Sequence, residues 1–153
     1  MNLEKFTERS RGFLQAAQTI AQREDHQRLL PIHLLKALLG DEEGLASNLI
    51  SNAGGDAQQV LALTSAELAK MPSVSGDGSQ LYMDNQTNKV LIEAEKIAKK
   101  AGDSFVPVER ILTALAMVKS KAREALDAGG VSAQKLNAAI NDIRKGRTAD
   151  SAS

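Results

Sequence analysis

The most constraining feature of this sequence is that its second half repeats the apolar and Gly/Pro landmarks of its first half. The landmarks are Ile20-Ala21, Leu30-Pro31-Ile32, Ala37-Leu38-Leu39 and Ala53-Gly54 in the first half, and Ile97-Ala98, Val106-Pro107-Val108, Ala114-Leu115 and Ala128-Gly129 in the second. The offsets between the paired landmarks are 77, 76, 77 and 75 residues. A spacing that drifts by single residues while the landmarks persist is typical of a duplicated unit with trimmed loops. Because there are only two copies, the sequence predicts two like halves that share one core.

Composition narrows the classes of function that this domain can have. The formal net charge is zero, from 19 basic and 19 acidic side chains spread along the chain, so no basic stripe is available for a nucleic acid backbone. The absence of cysteine excludes disulfides, thiolate nucleophiles and cysteine metal sites. No apolar run approaches the roughly 18 residues that a membrane span needs. We therefore expect a cytoplasmic protein without nucleic acid or membrane partners.

Helical periodicity and helix start and stop signals predict an all-α fold. Apolar residues recur at helical spacing between Phe6 and Ile20, and Pro31 lies where proline favours the first turn of a helix. Asp56 and Ser132 are predicted N-caps, and the glycine pairs that begin at Gly54 and Gly129 are predicted helix ends. The sequence predicts eight helices. The first ends near Arg23, the sixth is opened by Pro107 and the eighth is capped by Ser132. The other five span Pro31–Leu39, Leu45–Ala53, Asp56–Lys70, Asn85–Ala101 and Ala122–Ala128. No strand pattern is found.

These helices divide into two tandem four-helix repeats with pseudo-twofold symmetry. Repeat one covers residues 1–70, a connector rich in Ser, Gly and Pro covers 71–82, and repeat two covers 83–145. Residues 146–153 are charged, then small and polar, and are predicted to begin a flexible linker to further modules. In this interpretation residues 1–145 form one domain of a longer protein.

A search for catalytic chemistry finds no convergent set of nucleophile, base, metal ligands or phosphate cradle. No G-x-x-x-x-G-K-[ST] motif occurs, so we expect no ATP site in this domain. His26 and His33 are seven residues apart across a predicted loop and lack the i, i+4 spacing of a helical metal pair. They are interpreted as two histidines in unrelated settings, with a structural role for His33 in the first turn of the second helix. The domain is predicted to be no enzyme, with no metal and no cofactor of its own.

Several phrases in this order and spacing resemble the Clp N-domain family. They are Phe6-Thr7-Glu8-Arg9, Pro31-Ile32-His33-Leu34-Leu35, Gly102-Asp103-Ser104-Phe105 and Val108-Glu109. The resemblance implies a duplicated four-helix unit that engages exposed hydrophobic segments of unfolded or aggregated proteins. It also implies a parent protein that is a homohexameric AAA+ disaggregase working with the DnaK chaperone system, with ATP and Mg bound by modules outside this sequence. The fragment alone is expected to be monomeric.

The resemblance also implies a set of substrate-binding residues. Thr7, Asp103 and Glu109 match polar positions of the family. Each has a structural alternative: Thr7 could cap helix one, Asp103 could order its own turn, and Glu109 could interact with a helix dipole. The family's apolar groove is expected between helix one and repeat two, where the residues that occupy or flank it are Phe13, Leu91, Ile97 and Arg110.

Two charged residues depart from the family pattern. Glu93 and Arg110 stand where members often carry apolar side chains, which predicts a smaller and more selective apolar patch. Two alternatives to the disaggregase interpretation stay open. One is an N-domain of a Clp protease unfoldase that docks folded adaptor proteins, and the other is a structural or regulatory spacer that never touches substrate.

Overall fold

The computed structural model describes residues 3–74 and 80–153 and confirms the all-α prediction for them. The helices are α1 (Glu8–Arg23), α2 (Pro31–Leu39), α3 (Leu45–Asn52), α4 (Ala57–Lys70), α5 (Asn85–Lys100), α6 (Val108–Met117), α7 (Lys121–Ala128) and α8 (Ala133–Arg144), with a 3-10 turn at Leu3–Lys5 before α1. The predicted boundaries agree to within about two residues because proline, glycine and N-cap side chains mark them locally. No helix in the described residues is long and apolar enough to cross a membrane.

Side-chain caps fix the starts of most helices. The predicted caps Asp56 and Ser132 accept hydrogen bonds from the backbone N–H groups of Gln59 and Lys135, at 3.1 and 3.2 Å. Such a cap stabilises a helix by about 1 kcal/mol because it pairs a backbone donor that the helix leaves open. Local sequence therefore determines where these helices begin, before any tertiary contact forms.

The core lies around the central pair α2 and α6, which contact each other across the two repeats. In α2 every residue except Lys36 is buried, and in α6 only Glu109 and Met117 are not. Helix α1 packs on α2, and α5 packs in the same way on α6. The buried faces of α1 and α5 include Ala17, Ala21, Ala94 and Ala98, so the helices can approach closely. The repeats thus share one core, as the sequence predicts.

The prediction that no strand is present is wrong. Strand β1 (Arg28–Leu29) pairs in parallel with β2 (Tyr82–Met83), and Phe6 forms an isolated parallel bridge with Val106. Sequence periodicity could not reveal these strands because two residues are too few to show alternation. They matter because each joins a segment of one repeat to the other.

Matching side chains anchor these two crossings. Ser10 in α1 donates a hydrogen bond to the carbonyl oxygen of Val106 at 2.9 Å, and Thr87 in α5 donates to that of Leu29 at 2.6 Å. In each case a hydroxyl in the first turn of one repeat's first helix binds a backbone carbonyl of the other repeat. That carbonyl lies one residue before Pro107 or two residues before Pro31. This reciprocal pattern is what a two-fold relation between the repeats would produce.

Glycines at the ends of α3 and α7 bring the two repeats into close contact. The Asp56 N–H donates to the Gly129 carbonyl at 2.9 Å, and a Cβ on Gly129 would lie 2.3 Å from Val60 Cγ2. The left-handed residues are Gly54 (φ +86°) and Gly130 (φ +81°). The sequence pairs Gly54 with Gly129 as equivalent positions, and this is wrong by one residue. The equivalent glycines are Gly54 and Gly130, because these two have the left-handed backbone conformation that favours glycine.

The backbone of the last residues pairs with the domain. The Ala149 carbonyl accepts hydrogen bonds from the N–H groups of Ser104 and Phe105 at 2.8 and 3.0 Å, and the Ala152 carbonyl accepts one from Glu8 at 2.6 Å. Residues 146–153 therefore satisfy open backbone donors of the domain. The linker that they are predicted to begin and the domain boundary at residue 145 stay predictions.

Within the predicted connector, residues 75–79 lie outside the described residues. Next to them, the Val74 N–H donates to the carbonyl of Asp25 at 2.9 Å, and β2 pairs with β1. The described parts of the connector thus contact the loop between α1 and α2.

Candidate substrate-binding groove

Asp103, in the turn between α5 and α6, is the centre of a buried ionic cluster. Its Oδ2 accepts from Arg110 Nε at 2.9 Å, and its Oδ1 accepts from Arg144 Nη1 at 2.6 Å and from the Ala149 N–H at 2.8 Å. Its side chain is fully buried. Burial alone would raise the pKa of Asp103, but the Ala149 N–H and the two guanidinium groups together hold the pKa below its ordinary value.

Glu109 completes this Asp103 cluster. Its Oε2 lies 3.0 Å from Arg144 Nε and 2.9 Å from Nη2, so Arg144 bridges the two acids. Desolvation alone would lower the pKa of Arg144. Its interactions with Asp103 and Glu109 outweigh this effect, so the pKa of Arg144 lies above its ordinary value. Buried charges are tolerated only when they are paired in this way. Asp103 therefore has its polar atoms committed within the domain, and a direct contact with substrate would require the cluster to open.

Thr7 has the structural role that was set out as its alternative. It is the N-cap of α1: its Oγ1 accepts from the Ser10 N–H at 3.1 Å and donates to Ser10 Oγ at 3.0 Å. Only 8% of Thr7 is exposed. Thr7 and Glu109 line one cleft of about 410 Å³, which residues 148–151 and Ser153 also line.

Leu91 and Phe13 do not join the other predicted residues. Leu91 is fully buried in the core, so it supports α5 from inside and has no surface to offer a ligand. Phe13 is half-buried on α1, where the guanidinium carbon of Arg9 lies 5.9 Å from its ring centroid. The expected groove beside α1 stays a prediction, and the groove described next lies between α5, α6 and α8.

This groove has a volume of about 660 Å³ and includes two of the predicted residues, Ile97 and Arg110. Its apolar surface comes from Ile97, Ala101, Met117 and Ala133, and 43% of Met117 is exposed. The remaining wall residues are Glu93, Lys96, Lys100, Thr113, Gln134, Asn137, Asn141, Arg144, Gly146, Arg147 and Thr148. We call this surface the α5/α6/α8 groove. An apolar strip with polar edges of this kind suits a polypeptide segment.

Sequence reasoning missed most of the α5/α6/α8 groove. On each helix its residues recur three or four positions apart, for example Arg110, Thr113 and Met117 on α6, so each set lies on one face. That signal is present in the sequence. However, a mixed polar face with one or two apolar residues is also what a solvated helix shows. Only the packing of α5, α6 and α8 shows that the three faces meet.

The two histidines, interpreted as unrelated, in fact contact each other. His26 Nδ1 lies 2.9 Å from His33 Nε2, and both residues are buried. The Leu30 N–H donates to His33 Nδ1 at 3.0 Å, which leaves the proton of a neutral His33 on Nε2 to be donated to His26. Burial, and then the neighbouring His26, lower the pKa of His33 to about 4. The predicted structural role of His33 is confirmed, but the two side chains act as a pair.

Known proteins resemble the chain over its full length. The family model "Clp repeat (R) N-terminal domain" matches residues 5–129. Chaperone protein ClpB of Rhodopseudomonas palustris is 56% identical over 154 residues, which cover 99% of this chain and 18% of that protein. ClpB of Mesorhizobium japonicum is 54% identical over 100% of this chain and 18% of that protein. The chain thus spans less than a fifth of the length of these relatives.

The fold has known counterparts as well. The Hsp104 N-terminal domain from Candida albicans superimposes with a TM-score of 0.85 over 97% of both chains, at 23% sequence identity. That identity is low enough for the likeness to concern the fold alone. The family match, by contrast, covers most of the chain and includes the repeated landmarks and the ionic turn at Asp103. The chain belongs to the Clp repeat N-terminal domain family.

Proposed function

We propose that this chain is the non-catalytic, substrate-engaging N-terminal domain of a ClpB-type protein disaggregase. The observation that carries the proposal is the 54–56% identity to ClpB proteins over essentially the whole chain. The parent protein is then a cytoplasmic homohexamer that works with the DnaK chaperone system. ATP and Mg are bound by its other modules, and the N-terminal domain binds exposed hydrophobic segments of unfolded or aggregated proteins.

The α5/α6/α8 groove supports the substrate-engaging role. It is lined by the half-buried Ile97 and the exposed Met117 and has polar edges, so an apolar side chain of a client can leave water without displacing a buried residue. Apolar burial stabilises a complex by roughly 25 cal/mol per Å². A contact of one or two side chains therefore gives weak binding, which suits a domain that captures many clients and must release them.

Binding of a permanently unfolded client, followed by NMR chemical shifts of the domain, tests this proposal. We expect signals of Ile97, Met117 and Ala133 to move together on titration. The variant Met117→Ser should weaken binding about 5- to 10-fold, since it removes most of an exposed apolar side chain from the groove. The matched control is Leu61→Ser, because Leu61 is 36% exposed on α4 and does not line the groove.

The same titration separates the proposal from its two alternatives. An adaptor-docking domain would bind one folded partner at a fixed stoichiometry and leave the unfolded client unbound. A spacer would bind neither, and deleting residues 1–145 from the full-length protein would leave aggregate recovery unchanged. Either result, or equal effects of Met117→Ser and Leu61→Ser, would contradict the proposal.

A further inference from the structure

The α5/α6/α8 groove contains a buried cation with an open hydrogen-bonding position. Arg110 is 2% exposed, its Nε is paired with Asp103, and its Nη1 has no hydrogen-bond partner among the described residues. A buried unpaired donor is unfavourable, and it gains more from an incoming acceptor than an exposed donor does, because it has already lost its water. Arg110 thus gives the wall of the groove a preference for an oxygen acceptor.

The positive charges around Arg110 favour an anionic oxygen acceptor over a neutral one. Asp103 and Glu109 neutralise Arg110 and Arg144 within the cluster. This accounts for two of the five cations that line the groove and leaves the other three unpaired.

Those three are Lys96, Lys100 and Arg147, and no carboxylate of the described residues lies within salt-bridge distance of them. Arg147 donates only to the backbone carbonyls of Ile143 and Arg144. Glu93 is the only acidic residue among the wall residues of the groove. The rim therefore has excess positive charge although the chain as a whole is neutral.

The unpaired cations flank the apolar strip. Lys96 and Lys100 are four residues apart on α5, and Ile97 and Ala101 follow them on the same face. Arg147 lies beyond the end of α8, and it also lines the groove. A ligand whose apolar side chain contacts Ile97 therefore places its neighbouring groups near a cation.

We propose, resting on the function proposed above, that the α5/α6/α8 groove selects client segments in which a carboxylate neighbours an apolar side chain. The carboxylate comes from an Asp or Glu side chain or from the C-terminus of the client, and both offer the same oxygen pair to the cations. Lys96, Lys100 and Arg147 attract it, and Arg110 favours an oxygen acceptor at the wall. Clients with neutral or basic segments bind through the apolar strip alone.

Fluorescence anisotropy with labelled peptides tests this selectivity. One peptide alternates Leu with Asp, a second replaces each Asp by Asn, and a third replaces each Asp by Lys. All three are amidated at the C-terminus, and a free-acid version of the Asn peptide tests the terminal carboxylate. We expect the Asp peptide to bind about 5- to 10-fold more tightly than the Asn peptide at low salt, as two exposed ion pairs allow. Most of this difference should vanish near 1 M salt, where charges are screened within about 3 Å.

Matched variants locate the effect. Lys96→Gln/Lys100→Gln should remove most of the preference for the Asp peptide over the Asn peptide. Lys89→Gln/Lys135→Gln removes the same charge from exposed positions of α5 and α8 that do not line the groove, and should keep the preference. None of these four lysines belongs to the Asp103 cluster, so folding is preserved.

The outcomes separate this proposal from the one it rests on. If the Asp and Asn peptides bind equally, and Met117→Ser weakens both, the groove engages substrate but does not select carboxylates. If the preference survives Lys96→Gln/Lys100→Gln and is lost in the control pair, the carboxylate site lies elsewhere and the proposal is wrong. If no peptide binds, both proposals fail.

Discussion

At the scale of single residues, the residues matched to the family proved to be parts of the framework more than of an open surface. Asp103 joins α6, α8 and the last residues through three hydrogen bonds, and Thr7 caps α1. The family resemblance singled out Thr7 and Asp103, and both form hydrogen bonds that join parts of the domain. The sequence could not tell a contact role from a supporting role, because both require the same polar side chain in a turn.

The substitution Asp103→Asn distinguishes the two roles. It leaves Arg110 and Arg144 without their shared counter-charge in a buried site, so we expect the free energy of unfolding to fall by about 3 kcal/mol. The measurement is urea unfolding at pH 7, with Asp142→Asn as the control. Asp142 is exposed on α8, and no basic side chain of the described residues lies within salt-bridge distance of it. Unchanged stability together with lost client binding would instead assign Asp103 a direct contact.

The buried histidine pair predicts a pH dependence of stability. In the unfolded chain His33 takes up a proton as the pH falls through about 6.5, whereas in the folded chain it does so only near 4. Between these values the unfolded state binds more protons, so stability is full above pH 6.5 and is lost as the pH falls. The loss reaches roughly 3 kcal/mol at pH 4.

Urea unfolding between pH 5 and 7 measures this dependence above the range in which carboxylates titrate. The double variant His26→Gln/His33→Gln should lose most of the slope, because the chain has no other histidine. A wild-type profile that is flat over this range, or a slope that the double variant retains, would show that the pair does not govern it.

At the scale of elements, the helices could be predicted and the contacts between repeats could not. Proline, glycine and cap residues act within a few positions of the helix end they mark, so Pro31, Asp56 and Ser132 located their helices correctly. Strands β1 and β2 lie 53 or more positions apart in the chain and are two residues long. Only the packing of α1 and α5 on the central helices brings such short segments together.

The contact between the α3–α4 and α7–α8 turns gives a prediction at this scale. Gly129→Ala would place a Cβ 2.3 Å from Val60 Cγ2, so the turns must separate, and we expect a loss of about 1–3 kcal/mol in the free energy of unfolding. Gly12→Ala is the matched control. Gly12 is exposed within α1 with nothing within 4 Å of its added Cβ, and the change should stabilise by about 0.5–1 kcal/mol.

Thermal unfolding of both variants measures the two effects, which should have opposite signs. A Gly129→Ala variant as stable as the wild type would mean that the turns can shift apart at little cost. The conclusion that close contact of these turns holds the repeats together would then be wrong.

At the scale of the whole molecule, the candidate site depends on packing that no local pattern contains. Of the predicted site residues, Ile97 and Arg110 line the same groove. Leu91 and Phe13 do not, since a helical stripe does not say which of its residues face a neighbouring helix. The groove needs α8, whose position is set by the Asp103 cluster and by contacts with α3 of the other repeat.

The exchange of segments between repeats predicts that neither half folds alone. Repeat one needs the pairing of Phe6 with Val106 and of β1 with β2, and it buries α2 against α6 and α7 of repeat two. A chain of about 70 residues that exposes such a face has too small a core to offset its conformational entropy. We therefore expect fragments 1–70 and 83–153 to lack cooperative thermal unfolding when separate, and the full chain to unfold in a single transition.

Circular dichroism and proton NMR of the fragments, alone and mixed in equal amounts, measure this directly. Mixing should restore dispersed signals, since most contacts between the repeats are then available. Only those of residues 71–82 are missing, including the pairing of Tyr82 with Arg28. A fragment 1–70 that gives a dispersed spectrum and a cooperative transition by itself would show that the two halves are independent domains. In that case the Asp103 cluster and the α5/α6/α8 groove would have to form within repeat two alone, without the contact between α3 and α8 that now holds α8 from the other side.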